Sequence, residues 1–483
     1  NESFMLSGLS YEAPIYYQKL EIISEASKEL NIACNRMDCE SFKVRTEKKE
    51  KSYTIRTLER QFVPKMEQEA AVLDRLDAVS WIMVGTMQDW TKISQWYLDK
   101  TYRKLELTYE IKNAIDTIVN DGMTDEEKVI ALYNFVTKDI KYSYVSFLQS
   151  NFIPKSPAST LSAGIGDCKD VSSLSIAMLR YVGIEAYYVL VKTRDFTNLE
   201  PIPSILFDHV ITGYVLDGKM RYMDLTTDYY PYYVVHEGDS DAWALLVKKG
   251  NNQAFRLPDD FLNKEKNTLK IDATVQLNLD KSINLKVKSN ASGLIGGRIR
   301  EEVNGLPINE QKKYISTFFG KNAFKNLEVE AFDFGNLTKI TPPLASNFTL
   351  KSNSYLDKVS SLYIFQLPLL QSVGASSLLT PATRYNNLDL GQTFEITPLV
   401  QDITIEVPAD YHIAEIPESV QMDNPFFSYQ LTFEKAGDGM KMHREMEFKE
   451  RIVLAKDYEA FKKEYLKLLD VDLMKHYIIG KDK

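Results

Sequence analysis

Cysteine and histidine are scarce in this chain, which has three cysteines and five histidines among 483 residues. Three thiols are too few for a disulfide framework. Cys34 and Cys39 are spaced to close a small loop in an oxidising compartment, and two reduced thiols are an equally good interpretation. The histidines are scattered and form no pair at ligand spacing, so we expect no metal ion and no cofactor.

Two further absences reduce the number of function classes that the chain can belong to. No run of 18 apolar residues exists, so no transmembrane segment is expected. The net charge is −9, and no basic cluster with interleaved aromatic residues is present, which argues against a nucleic-acid partner. The chain starts at Asn1 rather than methionine, which suggests a processed product and a periplasmic, cell-surface or secreted location. No feature of the sequence indicates the oligomeric state.

Hydrophobic periodicity predicts an α+β multidomain protein in three parts, within the two to four domains expected for this length. Alternation in stretches such as 42–46 predicts a β-sandwich-like domain at 1–92. Long alternating segments such as 269–277 predict a β-rich domain at 263–483, which ends in an amphipathic helix from about Asp457.

The central part, 93–262, mixes helices and strands. Ile111 and Ile115 lie on the apolar face of its first predicted helix. Thr124 and Glu127 form a capping box for the next helix. This part is the predicted catalytic domain because the chemistry-bearing residues fall within it.

The segment Gly164–Asp170 (GIGDCKD) places Cys168 between a glycine-rich turn and an apolar-periodic run that ends at Gly183. Cys168 is therefore predicted at a helix N-terminus, where free N–H groups and the helix dipole stabilise a thiolate. The alternative is a small buried cysteine with no chemical role.

An Asp217–Gly218 turn predicts a β-hairpin and fixes its register. Its two strands are predicted at 207–216 and 219–226. Counting outward from the turn, His209 lies opposite Thr226 and Asp224 lies opposite Ile211. Because side chains alternate between faces, His209 and Asp224 are predicted to be diagonal neighbours on one face. A one-residue slip would separate them.

Cys168, His209 and Asp224 supply the groups needed for covalent catalysis by a thiol. The cysteine is the nucleophile, the histidine takes and returns its proton, and the aspartate orients the imidazole. Alone, each residue is better explained as structural. Their conjunction favours a catalytic triad.

These segments resemble the transglutaminase-like superfamily in its bacterial branch. The resemblance covers about 170 residues, and the segments that carry it are 131–142, 166–170, 178–186, 207–211 and 223–226. It implies a papain-like core, with Cys168 as nucleophile and His209 and Asp224 completing the triad. Weaker resemblance in the flanking parts implies β-domains on either side of this core.

The sequence departs from the family pattern at two positions. Asp208 stands where asparagine is common, and Leu225 stands where proline is common. Asp208 either adds negative charge near the imidazole or points to the opposite strand face. The N–H of Cys168 is one candidate oxyanion donor, and the side chain of Tyr142 or Tyr144 is another.

The resemblance and the triad together predict a cysteine protease or amide hydrolase that forms a thioester acyl-enzyme on a peptide or protein substrate. One alternative is a transglutaminase, in which an amine replaces water in the second step. Another is a binding or scaffold protein that retains the fold. The aromatic run Tyr229–Tyr233 and Trp243 either line a substrate cleft or serve packing.

Overall fold

The structure is a computed structural model, and it describes most of the chain. The described residues are 3–6, 9, 13–48, 51–66, 69–72, 78–144, 152–194, 202–320, 324, 326–371, 379, 381–392, 396–472 and 475–480.

The chain divides into two compact units. The first unit consists of residues 1–228 and 235–258, and the second consists of residues 229–234 and 259–483. Each unit is described by itself below. The domain boundaries at 92/93 and 262/263 stay a prediction.

Helices are found in both units. Those of the first unit are α1 (Trp90–Thr101), α2 (Tyr109–Ile118), α3 (Asp125–Asp139), α4 (Pro157–Ala163) and α5 (Cys168–Tyr181). Those of the second unit are α6 (Gly293–Val303), α7 (Ile308–Gly320) and α8 (Tyr458–Asp472). Among the described residues, no helix combines the length and the hydropathy that a bilayer span requires.

The described strands of the first unit form four sheets. Its strands are β1 (Ser3–Leu6), β2 (Ile15–Glu25), β3 (Asn31–Asn35), β4 (Lys43–Lys48), β5 (Ser52–Val63), β6 (Trp81–Gly85), β7 (Lys141–Tyr142), β8 (Ile165–Gly166), β9 (Ala186–Lys192), β10 (His209–Leu216), β11 (Lys219–Met223), β12 (Trp243–Leu246) and β13 (Phe255–Arg256). The sheet orders are β1-β6-β3, β2-β5-β4, β11-β10-β9-β12-β13 and β7-β8. Only the short β7-β8 pair is parallel among these described strands.

The second unit is built on an eight-stranded sheet. Its strands are β14 (Leu269–Leu277), β15 (Ile283–Ala291), β16 (Leu327–Asp333), β17 (Leu344–Ser352), β18 (Asp357–Val359), β19 (Leu362–Gln366), β20 (Leu388–Asp389), β21 (Leu399–Glu406), β22 (Tyr411–Ile413), β23 (Val420–Asp423), β24 (Phe427–Ala436), β25 (Gly439–Phe448), β26 (Ile452–Val453) and β27 (Lys475–Gly480). The sheet orders are β16-β17-β15-β14-β21-β25-β24-β23, β18-β19-β27-β22 and β20-β26.

The predicted α+β organisation, with a β-rich C-terminal region and a helix near its end, is confirmed. Strand β14 alternates buried and exposed residues along its length, as its sequence predicts. Helix α8 buries one face, which carries Tyr458, Phe461, Tyr465 and Leu468. Strand β27 follows this helix, and no pattern in the sequence predicts it.

The central element of the first unit is α5. Asp167 caps its N-terminus by accepting from the N–H of Asp170 at 3.2 Å, and the Asp170 side chain accepts from the N–H of Asp167 at 3.3 Å. This reciprocal pair satisfies two N–H groups that the first helical turn leaves unpaired. Helix α5 contacts β9 and β10 of the five-stranded sheet, and it also contacts α2, α3 and α4. The end of α5 that carries Cys168 is therefore held on several sides.

The hairpin register is as predicted. Leu216 pairs with Lys219, and the pairing continues to Thr212 and Met223. Both turn residues have positive φ, 53° at Asp217 and 71° at Gly218, which is the conformation that a two-residue hairpin turn with matching twist requires. Strand β11 is shorter than predicted and ends one residue before Asp224.

One helix of the first unit lies outside the sequence prediction, and one alternative that the sequence left open is decided. Helix α1 precedes the helix that carries Ile111, which the sequence predicts as the opening element of the central part. Cys34 and Cys39 form a disulfide with a Cα–Cα distance of 5.8 Å. The disulfide decides between the two interpretations of this pair and leaves Cys168 as the free thiol.

A glycine at the start of α6 gives a stability prediction for the second unit. Gly293 has φ +59°, and a Cβ there would lie 2.0 Å from the carbonyl oxygen of Lys266. Gly293→Ala is expected to lower the free energy of unfolding by about 3 kcal/mol or more, because left-handed strain adds to a backbone clash. Urea denaturation of the full chain, followed by circular dichroism, measures the loss.

The matched control is Gly305→Ala. Gly305 also has positive φ, at +75°, but nothing lies within 4 Å of the position of its Cβ. Only the conformational strain of about 1–2 kcal/mol applies there. Equal losses for the two variants would contradict the clash at Gly293.

Candidate active site

Cys168 is the first residue of helix α5, directly after the capping residue Asp167. Its side chain is buried, and it is a free thiol. The Asp167 cap uses the N–H of Asp170. The positive end of the helix dipole acts on the Cys168 thiol because this residue lies on the first turn. The predicted position of Cys168 is the observed one.

His209 begins β10, where it pairs with Val191 of β9. Its ring is mostly buried, and the nearby Cys168 side chain, as a hydrogen-bond partner, contributes to raising the pKa of His209. Nε2 of the ring lies 3.3 Å from Oδ2 of Asp224. Because Nε2 faces a carboxylate, Nδ1 is the ring nitrogen left for the thiol.

Asp224 directly follows β11 and is buried. Its Oδ1 accepts from the N–H of Thr226 at 3.0 Å and from the Thr226 hydroxyl at 2.8 Å. Two donors therefore hold one oxygen and leave Oδ2 directed at His209. The structure brings the three sequence-predicted site residues together in the order thiol, imidazole, carboxylate.

Asp239 is a fourth residue of the site, and no pattern in the sequence indicates it. Its Oδ2 lies 3.6 Å from Nε2 of His209, and its side chain is 2% exposed. Asp239 belongs to an irregular segment between β11 and β12, so neither strand alternation nor a hairpin turn fixes its position. Only the tertiary fold connects it with His209.

The two carboxylates control the charge on the imidazole. Burial lowers the pKa of His209, but Asp239 and Asp224 more than offset it, so that the pKa is raised well above its usual value. Burial likewise opposes the charge on Asp224, and His209 outweighs it and lowers the pKa of Asp224. Burial raises the pKa of Asp239 well above its usual value. The arrangement favours imidazolium beside one carboxylate and one neutral carboxyl group.

Tyr142 and Tyr144, the two candidate oxyanion donors, differ in their surroundings. Tyr142 lies on β7, which pairs with β8 just before Cys168. Burial raises the pKa of Tyr142, and the neighbouring Cys168 adds to this shift. Tyr144 is 77% exposed. The observed proximity to the thiol favours Tyr142.

Asp208 precedes the site histidine and accepts from the N–H and the hydroxyl of Thr193, at 2.8 Å and 2.9 Å. These two hydrogen bonds hold the Asp208 carboxylate at Thr193, the residue that follows β9. The interpretation that Asp208 points away from the imidazole face is therefore favoured.

The aromatic run Tyr229–Tyr233 groups with the second unit. Tyr230 and Tyr232 are buried there, and the Tyr230 hydroxyl donates to Oε2 of Glu301 at 2.8 Å. The packing alternative is favoured for this run.

His209, Asp224 and Asp239 have donor atoms that lie within 4.8 Å of one another, and no other described group of this kind does so. Such side chains also bind divalent cations. Here Oδ2 of Asp224 and Oδ2 of Asp239 lie 3.3 Å and 3.6 Å from the same nitrogen, Nε2 of His209. We therefore interpret the group as a hydrogen-bonding cluster and not as a cation site.

Two family models match the chain. Residues 112–244 match the transglutaminase-like superfamily. Residues 360–475 match a domain of unknown function with a solved structure, DUF3858. The first match contains all four residues of the site.

Two solved structures are similar to the chain. A "putative protease" from Parabacteroides distasonis ATCC 8503 matches with a TM-score of 0.59 and 11% identity, covering 98% of this chain and 75% of that one. This similarity shows a shared fold. A "putative cysteine protease" from Cytophaga hutchinsonii matches with a TM-score of 0.22 and 12% identity, covering 53% of this chain and 89% of that one. No curated protein sequence matches the chain.

Proposed function

We propose that the transglutaminase-like segment at residues 112–244 makes this chain a cysteine hydrolase that cleaves amide bonds in peptides or proteins. One observation carries the proposal: Nε2 of His209 lies 3.3 Å from Asp224, and the Cys168 side chain lies near enough to contribute, as a hydrogen-bond partner, to the raised pKa of His209. A nucleophile, a base and a group that orients the base are the parts that acyl transfer through a thioester needs. The "putative protease" of the same fold is consistent with it.

In the first half of the reaction, the proton of Cys168 already resides on His209 as imidazolium, and the Cys168 thiolate attacks the carbonyl carbon of the amide. The C–N bond then breaks as the imidazolium gives that proton to the leaving amine. The acyl group remains on Cys168 as a thioester. Asp224 stabilises the imidazolium while it exists and fixes which ring nitrogen faces the thiol.

In the second half, water attacks the thioester carbonyl and gives a proton to His209. The C–S bond breaks, the carboxylic acid leaves, and the sulfur departs as the thiolate beside the imidazolium. An amine in place of water would give transglutaminase chemistry with the same residues, so an added amine serves as a test of the acceptor.

Developing negative charge on the carbonyl oxygen requires hydrogen-bond donors. The N–H of Cys168 is available on the first turn of α5, and the hydroxyl of Tyr142 is the side-chain donor favoured by its proximity to the thiol. We assign these two groups to the oxyanion site.

Export of the chain is part of the proposal. The Cys34–Cys39 disulfide supports an oxidising compartment, since cytosolic thiols are kept reduced. A periplasmic, cell-surface or secreted location agrees with this pairing. A protein substrate at such a location suits a chain with a large β-rich second unit.

Alkylation of Cys168 by iodoacetamide tests the activated thiol. The other two cysteines are paired, so Cys168 is the free thiol that the reagent reports. Because His209 remains protonated well above its ordinary range, the alkylation rate is expected to change less than about threefold between pH 6 and pH 8. Mass spectrometry at each pH gives the rate.

An unpaired thiol behaves differently, since its alkylation rises about tenfold per pH unit below about pH 8.5. That slope in the wild type would overturn the proposed function. Cys168→Ser is the control for alkylation at other sites.

Acid-quenched incubation with casein peptides should show an acyl adduct on Cys168. Added glycine methyl ester then distinguishes transfer of the acyl group to an amine from its hydrolysis.

A further inference from the structure

Asp239 is buried beside the candidate triad, and the reaction as derived so far does not use it. Its backbone is fixed, because its N–H donates to the carbonyl of His236 at 3.0 Å and its carbonyl accepts from the N–H of Ala242 at 3.0 Å. The carboxyl group is thus held in place 3.6 Å from Nε2 of His209. A buried carboxyl group in this position needs a partner.

The hydrogen-bond donors of His209 and Thr226 serve Asp224 rather than Asp239. Nε2 of His209 carries one N–H, and Oδ2 of Asp224 lies nearer to it, at 3.3 Å against 3.6 Å. Thr226 donates to Asp224 only. Oδ2 of Asp239 has no hydrogen-bond donor within reach in the described residues. A buried charge without donors is costly, whereas a protonated carboxyl group can itself donate.

The charges around Asp239 also favour its protonated form. His209, Asp224 and Asp208 act on Asp239, so two of its three ionisable neighbours are acidic. Arg194 contacts the same turn, but its guanidinium pairs with Asp241 at 3.2 Å. The imidazolium of His209 is therefore the positive charge shared by both carboxyl groups of the site.

We propose that Asp239, whose carboxyl group lies in one cluster with Asp224 and His209, is a positioning residue that keeps its proton, donates a hydrogen bond to Asp224, and so fixes the Asp224 carboxylate against Nε2 of His209. This inference rests on the proposed function. Asp224 then has donors on both oxygens: Thr226 on Oδ1, and His209 together with Asp239 on Oδ2. A neutral donor adds orientation without placing a second negative charge beside the first. Burial, and the repulsion of Asp224, raise the pKa of Asp239 in agreement with this role.

The test compares Asp239→Asn with Asp239→Ala in the full chain. The asparagine amide can donate to Asp224 as a neutral carboxyl group does, and alanine cannot. We expect Asp239→Asn to keep kcat for labelled casein within about threefold of the wild type, and Asp239→Ala to lower it about 10- to 30-fold. KM should change little, because Asp239 acts through Asp224 and His209 in this proposal and not on the substrate. Asp241→Asn is the matched control on the same turn.

The pH profile of Cys168 alkylation separates positioning from charge. If Asp239 is neutral, Asp239→Asn leaves the alkaline limb of the profile in place. A shift of that limb by one pH unit or more towards lower pH would show that Asp239 carries a negative charge, and it would overturn the inference. An asparagine variant as impaired as the alanine variant, or an alanine variant within twofold of the wild type, would also overturn it.

Thermal unfolding gives a second measurement. The folded-state pKa of Asp239 is raised above its unfolded value. The unfolded chain therefore loses this proton first as the pH rises, so the contribution of Asp239 to stability falls from about pH 4 upwards. Asp239→Asn is expected to gain Tm relative to the wild type between pH 4 and pH 7. No gain would overturn the inference.

Two controls distinguish failure of the Asp239 inference from a bound cation and from failure of the proposed function. Dialysis against EDTA should leave wild-type kcat unchanged, and a loss that Zn²⁺ restores would instead assign the cluster to a cation. If wild-type Cys168 shows the pH profile of an unpaired thiol, the proposed function fails. If the wild type is activated and only the Asp239 variants depart from expectation, the inference about Asp239 alone fails.

Discussion

Turnover is expected to fall by about 10⁴- to 10⁶-fold when His209 is replaced by alanine. The imidazolium that holds the thiol proton gives it to the leaving amine, and the resulting imidazole activates water in the second step. Cys168 contributes to the raised pKa of His209 as a hydrogen-bond partner. Hydrolysis of labelled casein at pH 7 measures the loss, and alkylation of Cys168 at pH 6.5 should fall at least tenfold in parallel.

The control for this variant is His443→Ala. His443 also faces carboxylates, with Nδ1 2.8 Å from Asp402, but it lies on β25 of the second unit, whereas the free thiol Cys168 lies on α5 of the first. Its loss should leave turnover unchanged. If His209→Ala kept alkylation at the wild-type rate, the imidazole would have no role in activating the thiol.

Asp224→Asn is expected to lower turnover by about 10³- to 10⁴-fold. Thr226 provides two donors to Oδ1, so an asparagine at this position would turn its carbonyl oxygen towards them. Its NH₂ group would then face Nε2 of His209 and impose the opposite tautomer, with the hydrogen on Nδ1. The imidazole could no longer accept the thiol proton. Casein hydrolysis and thiol alkylation measure both consequences.

Asp208→Asn is the matched control for this substitution. Asp208 is a partly buried aspartate, and its carboxylate accepts from Thr193 rather than facing the imidazole. Turnover should stay within about threefold of the wild type. A loss below about tenfold in Asp224→Asn would mean that neither the charge nor the tautomer at His209 depends on this position.

The parts of the site that can be predicted from the sequence depend on short-range rules. An N-terminal cap and a 3.6-residue period place Cys168 on the first turn of α5. A two-residue turn fixes the hairpin register, and strand alternation then puts His209 and Asp224 on one face. Each rule acts over a few residues, so each can be applied to the chain without its fold.

Other parts could not be predicted because they depend on how distant segments pack. The segment that carries Asp239 has no period or turn signal, and its approach to His209 is fixed by backbone hydrogen bonds to His236 and Ala242. The short β7-β8 pair brings Tyr142 beside Gly166 across more than twenty residues. The spacing of Cys34 and Cys39 allows both a disulfide and two thiols, and only the backbone geometry decides between them.

The sequence by itself determined the nucleophile's helix, the hairpin and hence the nearness of His209 to Asp224, because caps, turns and side-chain alternation are local properties of the backbone. The tertiary structure decided that the Cys168 side chain lies near His209, that Thr226 leaves one oxygen of Asp224 for His209, and that Asp239 is buried beside them. These contacts join residues from different elements, and their distances follow from the packing of α5 on the five-stranded sheet.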